Sequence, residues 1–252
     1  MRISVKNGGS WTQTDALWMA LSIDRHLRTQ KDHPVILSFA GGGGKTSYIR
    51  RLAWEGRERG LKVLVMTTTH MAEPEHFAVF KRDLEMVRSM LEKESIAVAG
   101  RPVKDGKIAF WDKDFYKQAA ALADIVLIEA DGSKRLPVKV PGENEPVIPK
   151  NSSVIICIYG LGAIGKQSDS CCFRLNQSEA LLKLKDEEKN GHWIMTEEKM
   201  AYLMREGYLK PLRKVFSDSL VIMALNQADT KEAEEQGILT GKMYEESSFD
   251  LF

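Results

Sequence analysis

The 252-residue chain holds three cysteines, an odd number, with two of them adjacent at Cys171 and Cys172. Neither a disulfide framework nor a zinc spacing can be built from that set, so reduced thiols are expected. Long apolar runs are missing as well. The longest, Val154 to Gly165, is too short and too interrupted by glycine to span a bilayer. The first ten residues, MRISVKNGGS, have no secretory apolar core, and a cytoplasmic location with no membrane partner is expected. Charge of one sign is not in excess: Lys+Arg 36 against Asp+Glu 35 leaves +1, which excludes a general attraction to nucleic acid. No internal repeat is found. A hydrophobic content of 43% with 28% charged residues is that of a folded globular protein. A chain of this length buries roughly three-quarters of its unfolded surface.

Apolar runs and helical spacings alternate along the chain. Ala16, Met19, Ala20, Ile23 and Leu27 predict an amphipathic helix over 14–27. Val35 to Phe39 reads as a strand, followed by four glycines and a helix from Lys45 to a stop at Gly60. Lys62 to Met66 closes a strand–helix–strand unit, which implies a parallel sheet. Further helices are expected over 77–91, 113–123, 178–184 and 196–205, and further strands at 125–128, 154–159 and 220–225. The whole reads as one doubly wound, mostly parallel α/β domain of phosphate-loop NTPase type over 1–252, with helices on both faces. An irregular insertion at 96–112 and a helical excursion at 166–212 are expected within it.

Chemistry concentrates first in Gly41-Gly42-Gly43-Gly44-Lys45-Thr46-Ser47, between a predicted strand and a predicted helix. Glycines let backbone N–H groups surround phosphate oxygens, and the helix N-terminus adds a favourable dipole. Lys45 neutralises the β/γ-phosphates, and Thr46, or Ser47 in a shifted register, offers a hydroxyl to Mg²⁺. The spacing is G-x-x-G-K-T, shorter than G-x-x-x-x-G-K-[ST], because Phe39 stands five positions before Gly44.

A second cluster is Glu129 and Asp131, two apart at the end of an apolar strand. Ligands sit beyond the carboxyl ends of parallel strands, and hard carboxylate oxygens suit Mg²⁺, so one acid serves the metal and the other positions water. Which does which is open from sequence, with Asp131 favoured for the metal. Ser133 to Lys139 is a cationic segment in which Arg135 or Lys134 is placed to stabilise charge during phosphoryl transfer. Thr67-Thr68-Thr69-His70 follows the second strand, where its hydroxyls suit a metal or phosphate shell. Asn226-Gln227-Ala228-Asp229 is similar to the N-K-x-D base-recognition signature, with Gln227 in the lysine position, so Asn226 and Asp229 are candidates for contact with the base of ATP or GTP. Gly160 to Lys166 reads either as a second phosphate loop or as a structural turn.

The segments SFAGGGGKTS, VLVMTTTHM, IEADGSKRLPVK, ENEPVIP and ALNQAD together resemble the YqeC family, from about Val35 to about Asp229. The resemblance implies a nucleotide-binding accessory protein for selenium-dependent molybdenum hydroxylases, partnered with such a hydroxylase or with its cofactor-maturation proteins. Phosphate would be bound by Gly41, Gly43, Gly44, Lys45 and Thr46, and the metal side served by Glu129 and Asp131. Glu143, Glu145 and Pro149 fall in a second family-like segment without a stated task. Where the family commonly has His-Arg, this chain has Phe173-Arg174, so a role for Arg174 carries over more easily than one for an imidazole. Three functions follow: a Mg²⁺-dependent NTPase, a nucleotide-gated chaperone with little hydrolysis, and a small-molecule kinase or ligase.

Overall fold

Runs of branched apolar residues form the strands because they pack on both faces of a pleated layer. The computed structural model describes residues 3–7, 10–30, 33–185, 187, 189 and 192–246. It begins with an antiparallel pair, β1 (Ile3–Asn7) and β2 (Ser10–Thr14), and two short helices, α1 (Leu17–Ala20) and α2 (Ile23–Thr29). Then come β3 (Val35–Gly41), α3 (Lys45–Glu58), β4 (Val63–Thr67), β5 (His70–Ala72), β6 (Ala78–Val79), α4 (Leu84–Glu94) and β7 (Ile96–Ala99). β8 (Arg101–Val103), β9 (Lys107–Ala109), α5 (Lys113–Ala120), β10 (Ile125–Glu129), β11 (Val138–Lys139) and β12 (Val154–Gly160) follow. The remainder is a 3-10 turn (Leu161–Ala163), α6 (Ser168–Cys171), β13 (Cys172–Phe173), α7 (Leu175–Leu182), α8 (Glu197–Met204), a π-helical turn (Arg205–Leu209), α9 (Lys210–Val215), β14 (Leu220–Asn226) and α10 (Lys231–Glu246).

Two compact units result. The first comprises the residues up to Ser38, Thr46–Glu129 and Asn151–Ser153. Its strand order is β3-β10-β4-β7-β6, starting from the first half of β3, and β10/β4, β4/β7 and β6/β7 are parallel. Leu64 and Met66 pair with Val126 and Ile128 and face a core that includes Val87 and Leu91 of α4 and Phe115 and Ala119 of α5. The alternate residues face the other way, where a Cβ on Gly56 of α3 would meet Val63 at 2.7 Å. Helices thus cover both faces, as period-2 burial requires. β8 and β9 form an antiparallel hairpin extended by β5, and β7, also within 96–112, belongs to the parallel sheet.

The second unit comprises Phe39–Lys45, Ala130–Lys150 and the residues from Val154 onward. β12 and β14 are parallel over seven residue pairs, in the order β14-β12-β3 with the second half of β3. Cys157, Tyr159, Met200, Leu203, Tyr208 and Leu212 centre its core. Thr196 caps α8 by accepting from the Lys199 amide at 3.2 Å, as its Thr-Glu-Glu start predicts. The ladder widens into the π-helical turn just before Pro211, which has no N–H to give and whose ring crowds the carbonyl four residues back.

Two helix expectations are corrected. A single helix over 14–27 does not form: Thr14 ends β2, and Ser22 at φ +51 separates α1 from α2. The start of α1 is fixed instead by the buried Glu55, whose carboxylate accepts from the amides of Leu17 (3.1 Å) and Trp18 (2.7 Å). The helix expected from Phe77 begins only at Leu84, where Asp83 accepts from the amides of Glu85 and Met86, because Ala78–Val79 is taken by the sheet.

Candidate functional site

The glycine loop joins the end of β3 to the start of α3. Gly43 has φ +70, and a Cβ there would stand 2.2 Å from the Gly160 nitrogen, so no other residue fits. Gly41 has φ +95, with Ile158 O 2.3 Å from the site of its Cβ. The loop is pinned from several directions. Gly42 N donates to Ile158 O at 2.8 Å, Gly43 N to Leu136 O at 3.3 Å, and Asn226 Nδ2 to Gly43 O at 2.7 Å. Such anchoring fixes the loop before any ligand arrives. The first amides of the helix that follows have no intrahelical acceptor and stay available for an anion.

Lys45 is almost fully buried, at 5% exposure, and its ammonium donates to Gly41 O while lying 3.2 Å from Asp131 Oδ1. Asp131 has no exposed surface and is saturated with donors: Gly41 N at 3.1 and 3.2 Å, Tyr208 OH at 2.9 Å, and the ammonium groups of Lys45 and Lys139 at 3.2 Å each. Lys139, also wholly buried, further donates to Gly132 O at 2.8 Å and pairs with Glu145, which Arg174 reaches at 3.0 Å. Burial works against the charged form of Glu145, but Lys139 and Arg174 outweigh it and hold the carboxyl below its ordinary range. The hydroxyl of Tyr208 is pushed far up by burial and by Asp131, so it stays a donor. Three cations and two carboxylates thus form one chain of pairs, Lys45–Asp131–Lys139–Glu145–Arg174, with Lys45 at its loop end.

In the other unit Thr46, the residue after Lys45, donates to Glu129 Oε2 at 3.3 Å. Thr67 Oγ1 donates to Glu129 O at 2.9 Å and accepts from Thr69 N at 3.1 Å. Thr69 Oγ1 is buried with no hydrogen-bond partner. A hydroxyl, a carboxylate and an orphaned hydroxyl are hard oxygen donors that fit Mg²⁺ with its own waters. Among the described residues no cluster of three or more His, Cys, Asp or Glu could hold a metal.

Of the residues singled out from sequence, the fold brings Gly41, Gly42, Gly43, Gly44, Lys45, Asp131 and Asn226 together, and separately pairs Thr46 with Glu129. Ser47, Arg135 and Asp229 are exposed, Arg135 at φ +65 beside Lys134 at φ +50. Within Gly160 to Lys166, Gly160 ends β12 and Leu161–Ala163 form the 3-10 turn. Cys171 and Cys172 are free and buried, and burial pushes both thiols up to about 11, which leaves them protonated and unreactive. Lys139 and Tyr208 carry roles the sequence did not single out. The one available signal for Lys139 was its place in Pro137-Val-Lys-Val-Pro141, a lone cation in an apolar stretch.

A mostly parallel sheet with a glycine loop leading into a helix, and a buried lysine at that loop, define a phosphate-loop α/β protein. A family model described as YqeC protein matches residues 37–176, and the chain belongs to that family. It is 38% identical over 152 residues to the uncharacterized protein YqeC of Escherichia coli (strain K12), a match covering 58% of this chain and 58% of that protein. The chain thus spans under two-thirds of the length of this relative. Among solved structures, HypB from Helicobacter pylori in complex with nickel has a TM-score of 0.31 at 12% identity, covering 89% of this chain and 94% of that one. The hydrogenase maturation factor HypB from Archaeoglobus fulgidus has 0.32 at 12%, covering 88% and 99%. Likenesses of this size carry nothing about ligands. No helix among the described residues is long and apolar enough to cross a membrane.

Proposed function

We propose that this protein is a Mg²⁺-dependent nucleotide-binding protein, an NTPase using ATP or GTP, that acts in the cytoplasm as a maturation factor for selenium-dependent molybdenum hydroxylases. The observation that carries the nucleotide reading is the Lys45 ammonium, held on Gly41 O and Asp131 at the head of the glycine loop. It is a cation already desolvated and aimed, which a phosphate takes over without reorganising the loop. Thr46 and Glu129 are the residues that would hold Mg²⁺, which supplies charge neutralisation for the β/γ-phosphates. Asp131, with every oxygen engaged, acts by positioning Lys45. Arg135, exposed in a left-handed backbone conformation, is free to turn toward the transferring phosphoryl group. Asn226 serves the loop, which leaves Asp229 as the candidate for the base. The hydroxylase role rests on what the resemblance to the YqeC family implies, and the chain is a member of that family.

A slowly hydrolysing, nucleotide-gated form of the same protein is favoured by one further observation. Asp131 links the loop to the π-helical turn through Tyr208, so a change at Lys45 has a defined structural recipient.

The test is binding of Mg-ATP and Mg-GTP to the wild type and to Lys45→Ala, followed by phosphate release on the same samples. Nucleotide binding weakened about 100-fold by Lys45→Ala is expected, in a variant that melts earlier because Asp131 keeps only Lys139 as its counter-charge, so binding is compared at a temperature where both proteins are folded. Release of phosphate marks the NTPase, and binding without release marks the gated form. Absence of binding for both nucleotides overturns the reading.

A further inference from the structure

A cavity of about 200 Å³ lies within the first unit, on the α3 face of its sheet. Ile49 and Ala53 of α3, Val65 of β4 and Val98 of β7 form its apolar floor, and Trp54 and Phe77 wall it. The two rings meet edge to face, centroids 5.9 Å apart, and the Arg57 guanidinium lies 5.1 Å from one centroid and 5.6 Å from the other. Phe77 sits at φ +63, a conformation costly for an aromatic residue and kept only where surroundings impose it, as ligand clamps do. Arg50 and Glu75, both exposed, bring opposite charges to the rim, and Arg50 has no ion-pair partner among the described residues. Thr46 also contributes to the lining.

We propose that this cavity is a second ligand site, for a small planar heteroaromatic acid of one or two fused rings. Apolar cavities of roughly 150 Å³ accept a benzene ring, so this volume suits slightly more than one ring. The aromatic ring is chosen because Trp54 and Phe77 both line the cavity and aromatic pairs attract beyond their area, the anionic group because of Arg50, and a ring N–H because of the carboxylate of Glu75. Its occupant lies against Thr46, a residue proposed above to hold Mg²⁺, and is therefore placed as a co-substrate or effector of nucleotide turnover. Only that last step rests on the nucleotide reading, because the cavity itself lies in the first unit.

Calorimetry with indole-3-carboxylate, first without nucleotide, tests the site. Saturable one-to-one binding is expected, about 10-fold weaker in Arg50→Gln and for the neutral indole-3-carboxamide, and weaker still for the non-planar cyclohexanecarboxylate. Phe77→Gly, which relieves the backbone strain while removing a wall, folds but loses at least about 10-fold in affinity. Ala72→Trp, an exposed substitution at the rim, blocks entry. No saturable binding, or an affinity unchanged by Ala72→Trp and Phe77→Gly, overturns the site, and equal affinity for acid and amide overturns its anionic assignment. Repeating the titration with Mg-ATP present separates the two ideas: binding of the acid in a protein that ignores nucleotide sinks the nucleotide reading alone.

Discussion

Tyr208 donates its hydroxyl to Asp131 Oδ2 at 2.9 Å, from a π-helical turn to the carboxylate that holds the phosphate-loop lysine. Neither side chain is exposed. A hydrogen bond to a buried charge contributes more than one between neutral groups, so Tyr208→Phe is expected to cost about 2 kcal/mol in urea denaturation. Lys45 and Lys139 still neutralise Asp131 in that variant, so it should remain folded. Its nucleotide affinity should fall less than that of Lys45→Ala, which separates positioning from direct phosphate contact.

Lys139 compensates two carboxylates at once, Asp131 at 3.2 Å and Glu145. Replacing it with methionine keeps the length of the stem but leaves Asp131 with Lys45 and Glu145 with Arg174 as their remaining cations, at an expected cost of about 3 kcal/mol. The double variant Lys139→Met/Glu145→Gln removes one of the two under-compensated charges and should recover part of that loss. A double-mutant cycle by chemical denaturation measures the recovery, and strict additivity would show that Lys139 and Glu145 do not couple.

The strand–glycine–helix segment was legible because its signals are local: Val35 to Phe39 is an unbroken apolar run, and Gly43 and Lys45 are read by type and spacing. The same holds for Glu129, at the end of an equally apolar strand. Tyr208 was not legible, since nothing near it marks a partner 77 residues earlier in the chain. Tertiary competition explains the misplaced helices as well. Helical spacing over 14–27 is real, but the Glu55 carboxylate captures the amides of Leu17 and Trp18 and sets the start of α1 there. The 77–91 pattern loses its first turns to the sheet, because Ala78 and Val79 satisfy β7. Asp131 was legible as a site residue but not as one whose oxygens are already filled, since burial of Lys139 beside it is a property of the fold.

Gly43→Ala should abolish the loop. The new Cβ meets the backbone of Gly160 at 2.2 Å for the nitrogen and 2.6 Å for Cα, and neither can swing aside as a flexible side chain could. Gly106 is the control, with φ +59 but nothing within 4 Å of its Cβ, so Gly106→Ala carries only the left-handed backbone penalty of about 1 kcal/mol. Thermal melts and Mg-nucleotide binding on both variants check this. Retained binding in Gly43→Ala would mean the loop rearranges freely and is not preformed.

Acid should loosen the charged cluster in a defined window. Glu145 is depressed in the folded protein because Lys139 and Arg174 outweigh its burial. A carboxyl with a lowered folded value binds fewer protons folded than unfolded. Its stabilising contribution is therefore complete above the ordinary glutamate range near pH 4.5, and drains away as pH falls through the folded value. Glu145→Gln removes that dependence, so the difference in unfolding free energy between wild type and variant should shrink steadily from about pH 5 downward. Urea titrations at stepped pH measure it. A difference that stays constant across that range would place the Glu145 carboxylate outside the electrostatic cluster, leaving Lys139 to Asp131 alone.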